Sequence, residues 1–166
     1  LLLQNEINMT LPIMEQASAA GLLIVFNAAP FTEEVIGYPL ELLDCLIVNE
    51  VEAAGITGTT ERAAMLEKLT GKFPAARVVL TLGAEGAVYR HGETTYQQAA
   101  FPVDAVDTTG AGDTFTGYFV AALASGLPIP DCLRQASCAA AISVTRAGAA
   151  SSIPLLDEVT SHLAGQ

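Results

Sequence analysis

Between Asp107 and Asp113 the chain reads Asp-Thr-Thr-Gly-Ala-Gly-Asp. This polar stretch of small residues runs into Thr114. From there Phe115, Phe119, Ala122 and Leu123 recur at steps of three and four and draw one apolar stripe. The pattern predicts a loop that feeds the N-terminus of a buried helix. The first N–H groups of a helix have no intrahelical partner, and the helix dipole is positive at that end. Gly110, Ala111 and Gly112 carry no bulky side chain, so an anion can approach those groups closely. Asp113 falls in the first turn beside that anion site. There it can accept a proton from a hydroxyl that attacks a phosphoryl group. It can equally serve as a helix cap, and the local sequence does not choose between the two.

Two other phosphate-binding patterns are excluded. A P-loop requires Gly-Lys-Ser or Gly-Lys-Thr, and no lysine lies in this stretch. The dinucleotide fingerprint requires a third glycine where this chain has Phe115.

Further residues stand where the chain leaves apolar runs. Asn49 and Glu52 follow Cys45-Leu46-Ile47-Val48. Their spacing suits a helix N-cap with a reciprocal acid three residues on. It also suits a carboxylate that reaches a hard cation through water. Glu6 follows Leu1-Leu2-Leu3-Gln4 at a strand's carboxyl end, where open α/β sheets bind ligands. Thr81, Gly83 and Gly86 border a strand and a tight turn. His91 reads as a turn residue and His162 as a solvated residue near a helix end.

The elements that hold these residues alternate. Leu1–Gln4, Leu22–Phe26, Cys45–Val48 and Arg77–Leu82 read as strands, the apolar runs among them buried on both faces. Helices are expected over Leu11–Ala20, over a short stretch from Glu33 toward Leu43 capped by Thr32 and interrupted at Gly37 and Pro39, and over Thr60–Lys72 with Ala63, Ala64, Leu66 and Leu69 inward. Ala87–Arg90 and Thr94–Gln98 read as a hairpin with an edge strand. Pro130–Val144 is an alanine-rich helix, and Ile153-Pro154 opens a last one. The order predicts an α/β fold.

At 166 residues one domain with a substantial core is expected. With 18 acidic against 7 basic residues the net charge is −11, which disfavours nucleic acid and anionic membranes as partners. Bound phosphate would have to be held by backbone N–H groups, a metal ion or a few local bases. Cys45, Cys132 and Cys138 show no metal-ligand spacing and read as buried thiols. Gln4, Asn5 and Glu6 interrupt the apolar start, so no signal peptide is read there, and no run is long enough to span a membrane. A reducing cytoplasm is expected.

The run Asp107 to Phe115 closely resembles the C-terminal signature of the ribokinase-like (PfkB) carbohydrate kinases. Asn49-Glu50-Val51-Glu52 is similar to that family's Asn-x-x-Glu motif. Thr81-Leu82-Gly83 with Gly86 is similar to its nucleotide segment, and Val144 to Ala149 to its C-terminal loop. The four segments fall in the family's order across the whole chain. The resemblance implies a Rossmann-like, mostly parallel sheet flanked by helices with antiparallel edge strands. It implies that residues 1–166 are the C-terminal part of a single kinase domain. The N-terminal portion, with its β-sheet lid and its own sugar contacts, would then lie outside the sequence.

For function, the resemblance implies transfer of the ATP γ-phosphoryl group to the 5-hydroxyl of D-ribose. Asp113 would be the base, with Gly110, Ala111 and Gly112 as the anion hole. Glu6 and Asp113 would contact the sugar. Asn49, Thr81, Gly83, Gly86, Gly112 and Ser137 would line the nucleotide. Glu52 would hold Mg2+ through water. Asp107, Thr109, Ser143, Arg146, Gly148 and Ser152 would surround an activating K+, mostly through backbone carbonyls. A homodimer through the absent lid is implied for the longer protein. A fructokinase-like or nucleoside kinase of the same family shares the glycine loop. A catalytically incomplete nucleotide-binding fragment is the alternative of a different class.

Overall fold

Apolar runs supply the strands, as a parallel sheet covered on both faces requires. The computed structural model describes residues 1–165. In it β1 (Leu2–Gln4), β2 (Val25–Asn27), β3 (Cys45–Asn49) and β4 (Arg77–Thr81) pair in parallel. β5 (Ala87–His91) and β6 (Thr94–Gln98) complete a six-stranded sheet whose order is that of the chain. Two residues link β5 to β6, a connection that only an antiparallel pair permits. The register sets Leu3 beside Phe26, Phe26 beside Leu46, and Leu46 beside Val78, and all four are buried. The mostly parallel α/β architecture expected from the sequence is the one observed.

The chain divides into two compact units. One comprises Leu1–Leu82 with Val88–Thr95, and the other Gly83–Ala87 with Tyr96–Gln166. In the first, α1 (Thr10–Ala19), α2 (Glu50–Thr57) and α3 (Arg62–Lys72) accompany the parallel strands. Met14, Ile24, Phe26, Leu46, Met65, Leu69 and Leu80 are part of one buried apolar cluster there.

Three expectations need correction in this unit. The Leu22–Phe26 run does not pair from its start. The Leu22 N–H returns to the Ala17 carbonyl and the Gly21 N–H to Ser18, so Leu22 still belongs to the end of α1. Leu22 and Leu23 are accordingly exposed. The helix expected from Glu33 toward Leu43 is two 3-10 helices, Glu33–Gly37 and Leu40–Leu42, separated at Pro39. Thr32 makes no capping bond; its hydroxyl accepts instead from Asn5. Finally, α3 starts at Arg62. The Glu61 carboxylate accepts from the Ala63 and Ala64 N–H groups. Those bonds, Ala64's foremost, hold its carboxyl below the usual range. Met65, not Ala63, faces inward.

The second unit contains α4 (Ala111–Ala124), α5 (Ile129–Ser143) and α6 (Leu156–Ala164). A 3-10 turn covers Ala150–Ser152, and α6 begins two residues after Pro154 rather than at Ile153-Pro154. Phe115 and Phe119 stack with ring centroids 6.1 Å apart. Phe119 is fully buried, a contribution of about 1.5–3 kcal/mol. Tyr118 donates to the Pro154 carbonyl at 2.7 Å and ties α4 to the segment before α6. Small side chains on α5, Ala136 and Ala139 among them, are completely buried.

Candidate active site

The loop expected to bind an anion is built around Gly110. It stands at the N-cap of α4 with φ 74°, the left-handed region that glycine adopts without penalty. A Cβ there would also press on the Ala149 side chain at 3.3 Å. The Gly110 carbonyl accepts from both the N–H and the hydroxyl of Thr114, at 2.8 and 2.9 Å, which clamps the first turn. Asp113 is the third residue of that turn and is exposed. The three expected anion donors are not equivalent. The Ala111 N–H is spent on the Thr108 carbonyl at 3.2 Å. Among the described residues, the Gly110 and Gly112 N–H groups meet no protein acceptor, as the open end of a helix requires.

Asp107 holds the loop from below. Its Oδ1 accepts from the Thr109 N–H and its Oδ2 from the Gly148 N–H, both at 2.9 Å. The Thr109 side-chain bond first, then the Gly148 and Thr109 backbone bonds, pull the carboxyl down to about 2. Asp107 thus joins the segment before α4 to the loop after α5. Other expected cation-site residues are already engaged. The Ser143 carbonyl accepts from the Arg146 N–H, and Arg146 pairs with Glu158. Ser152, buried, donates its hydroxyl to the Ala149 carbonyl at 2.7 Å. Ser137 is buried on α5, and its hydroxyl has no hydrogen-bond partner among the described residues.

In the first unit, Asn49 and Glu52 form a full capping box. The Glu52 N–H donates to Asn49 Oδ1 at 2.9 Å. The Asn49 N–H and Nδ2 donate to the two Glu52 oxygens at 2.9 and 2.7 Å. Glu52 is buried, and burial raises its carboxyl above the ordinary value although the Asn49 bonds oppose the shift. Thr81, at the end of β4, donates to the Val48 carbonyl at 3.4 Å. Glu6 is exposed in the turn after β1. In the second unit Gly86 has a reason of its own. With φ 106°, a Cβ there would lie 2.0 Å from the Gln98 carbonyl oxygen. Glycine is required at 86 whether or not a nucleotide binds. Gly83 opens a 3-10 turn in that unit.

Residues 9–156 match the model of the pfkB family carbohydrate kinases. The chain belongs to that family. It is 32% identical over 164 residues to the ribokinase of Lactococcus lactis, covering 98% of this chain and 53% of that protein. It is also similar to the structure of Arabidopsis thaliana ribokinase complexed with ribose and ATP. That match has a TM-score of 0.85 at 31% identity, over 98% of this chain and 55% of that one. A structure from E. coli in complex with ATP and Mg2+ matches with a TM-score of 0.76 at 27% identity, over 92% and 52% of the two chains. The chain spans about half the length of the curated relatives it matches.

The E. coli neighbour is in complex with Mg2+, and the donor set of this chain can be tested for such a cation. No group of three or more His, Cys, Asp or Glu side chains able to hold a metal ion occurs among the described residues. A Mg2+ on phosphates needs only one or two carboxylates and keeps several waters. Each Glu52 oxygen accepts one bond from Asn49 and retains acceptor capacity. Glu52 therefore fits a water-mediated role. For a monovalent cation, Asp107 remains ionised and fits as the charged member of the set.

One feature of this pfkB chain escapes sequence reasoning. Asn5 is a hub. Its N–H donates to the Ala29 carbonyl at 2.9 Å. Its Nδ2 donates to the Pro30 carbonyl and the Thr32 hydroxyl at 2.8 and 3.1 Å, and its Oδ1 accepts from the Tyr38 hydroxyl at 2.9 Å. This network fixes the turn that carries Glu6 to the segment after β2. The only sequence hint was an asparagine at a strand end beside Asn27-Ala28-Ala29-Pro30.

Proposed function

We propose that the chain carries the nucleotide and base side of an ATP-dependent sugar kinase, as the C-terminal part of a single pfkB kinase domain, and that the acceptor is the 5-hydroxyl of D-ribose. The observation that carries this reading is the first turn of α4. There an exposed carboxylate, Asp113, stands beside the open N–H groups of Gly110 and Gly112. The Arabidopsis structure with ribose and ATP supports the ligand pair.

In this mechanism Asp113 accepts the proton of the sugar hydroxyl as its oxygen bonds to the γ-phosphorus. The bond from that phosphorus to the β-bridging oxygen breaks and ADP leaves. The Gly110 and Gly112 N–H groups face the charge on the transferring phosphoryl group. One such donor is worth about 3–4 kcal/mol. Glu6 contacts the sugar. Asn49, Thr81, Gly83, Gly86 and the unspent Ser137 hydroxyl line the nucleotide, with Ala111 closing the anion loop. Glu52 would hold Mg2+ through water, and the bound ion would supply positive charge beside the phosphates. Asp107, Thr109, Ser143, Arg146, Gly148 and Ser152 surround K+, which would hold the anion loop open.

The test is ADP release by the folded chain with ATP, Mg2+, K+ and D-ribose, then with fructose and a nucleoside as acceptors. Ribose-dependent release that falls about 10²–10⁴-fold in Asp113→Asn is expected. Release that is unchanged in that variant overturns the base assignment. A second reading, a nucleotide-binding piece without turnover, is favoured by the half-length match to the relatives. ADP binding without release from a folded chain would establish it.

A further inference from the structure

Gly55 stands in the interior of α2, where glycine is less stable than alanine. The segment after β2 gives the reason for it. A Cβ on Gly55 would lie 2.5 Å from Cζ of Phe31 and 2.8 Å from its Cδ1. The Phe31 ring thus fills the notch that the glycine leaves. The ring packs at the same time against the buried apolar cluster of the first unit. Its backbone is held on both sides, because Asn5 Nδ2 donates to the Pro30 carbonyl at 2.8 Å and to the Thr32 hydroxyl at 3.1 Å. The Tyr38 hydroxyl donates to Asn5 Oδ1, and the Tyr38 ring meets Phe26 edge-on at 6.0 Å. Asn5 directly precedes Glu6. At the other end, Gly55 lies one turn beyond Glu52 on the same face of α2. A continuous set of contacts therefore runs from the Glu6 turn, through Asn5 and Phe31, to the helix capped by Asn49 and Glu52. All of these residues belong to one compact unit.

We propose that Phe31 and Gly55 are positioning residues that set the Glu6 turn against the Asn49–Glu52 box, so that the sugar side and the cation side of the site keep one spacing. They act through Asn5 and α2 rather than on substrate. The proposal rests on the roles given above to Glu6 and Glu52. Gly55→Ala, Phe31→Ala and the double variant test it in the folded chain. At an idle helix position Gly55→Ala would raise the melting temperature. Here it should lower it in the native background and raise it in the Phe31→Ala background, the change of sign that marks a coupled pair. In amide-resolved NMR spectra, Gly55→Ala should move the Asn5 side-chain amide and the Glu6 backbone amide. Ribose affinity, measured by calorimetric titration, should fall about ten-fold in the same variant, since small misplacements at a site are costly. Leu69→Ala, on α3 and outside this set of contacts, should lower the melting temperature and leave those resonances and the ribose affinity at native values. Equal losses in Leu69→Ala would reduce the effect to stability and overturn the proposal. So would a higher melting temperature for Gly55→Ala in the native background, unmoved Asn5 and Glu6 resonances, or an unchanged ribose affinity. A native chain that takes up no ribose overturns the role of Glu6 instead, and the resonances then decide the positioning by themselves.

Discussion

Gly110 is the residue on which the loop before α4 turns. Its left-handed φ disfavours a Cβ, and one placed there would press on the Ala149 side chain at 3.3 Å. Gly110→Ala should cost about 1–2 kcal/mol of stability from the backbone alone. It should also weaken ADP binding, because the Gly112 N–H would move with the turn; calorimetric titration against the native chain checks this. Met9 presents the opposite case. It is the one non-glycine residue with positive φ among those described, at 80°, and it is largely exposed. Nothing in its side chain compensates that geometry. Asparagine tolerates the left-handed region far better. Met9→Asn should therefore raise stability by about 0.5–1 kcal/mol, read as a higher urea midpoint with unchanged slope. Both residues show that backbone conformation, rather than side-chain chemistry, decides these positions.

At the scale of elements, the capping box at the start of α2 unites two readings that the sequence left open. Asn49→Ala removes a cap worth about 1 kcal/mol. It also leaves a buried Glu52 oxygen without its 2.7 Å donor, at a further cost of about 1–3 kcal/mol. Urea denaturation should report the sum. Glu52 also sets a sign in pH. Its folded carboxyl lies above the ordinary value, chiefly through burial. The native state therefore holds that proton more tightly than the unfolded chain, and the contribution of Glu52 to stability falls as pH rises from the ordinary carboxylate value through the raised one. Glu52→Gln, which keeps the reciprocal cap geometry, should flatten that part of the stability profile.

Across the whole molecule, Asp107 acts in the other direction. Its folded value of about 2 lies below the ordinary one. Its contribution is therefore present above the unfolded value near 3.8 and is lost as pH falls through the folded one. Asp107→Asn should remove this acid-limb component from melting curves recorded at successive pH values. The three cysteines give a further global test. All are buried, and burial first, with Asp44 adding and Arg77 opposing, pushes the Cys45 thiol up to about 12. The native chain should resist alkylation at pH 8 and take up three labels only in denaturant, as mass spectrometry would record.

The sequence by itself determined much of this protein. The alternation of buried runs and helical stripes yields the parallel β1–β4 sheet and the hairpin after it, because apolar periodicity is a local property. Asp107 to Asp113 reads as a loop that feeds a helix N-terminus, because small polar residues there precede an apolar stripe at helical spacing. Tertiary structure decided the rest. Leu22 looks like strand yet serves the end of α1. The stretch from Glu33 to Leu43, whose interruptions at Gly37 and Pro39 the sequence shows, winds as 3-10 rather than α-helix. Only the folded chain spends the Ala111 N–H on Thr108 and leaves those of Gly110 and Gly112 open. Only it joins Asp107 to Gly148, 41 residues away, and makes Asn5 a hub. The Asp107 bond and the Asn5 hub depend on which polar group another segment brings within about 3 Å, a distance that no local pattern encodes.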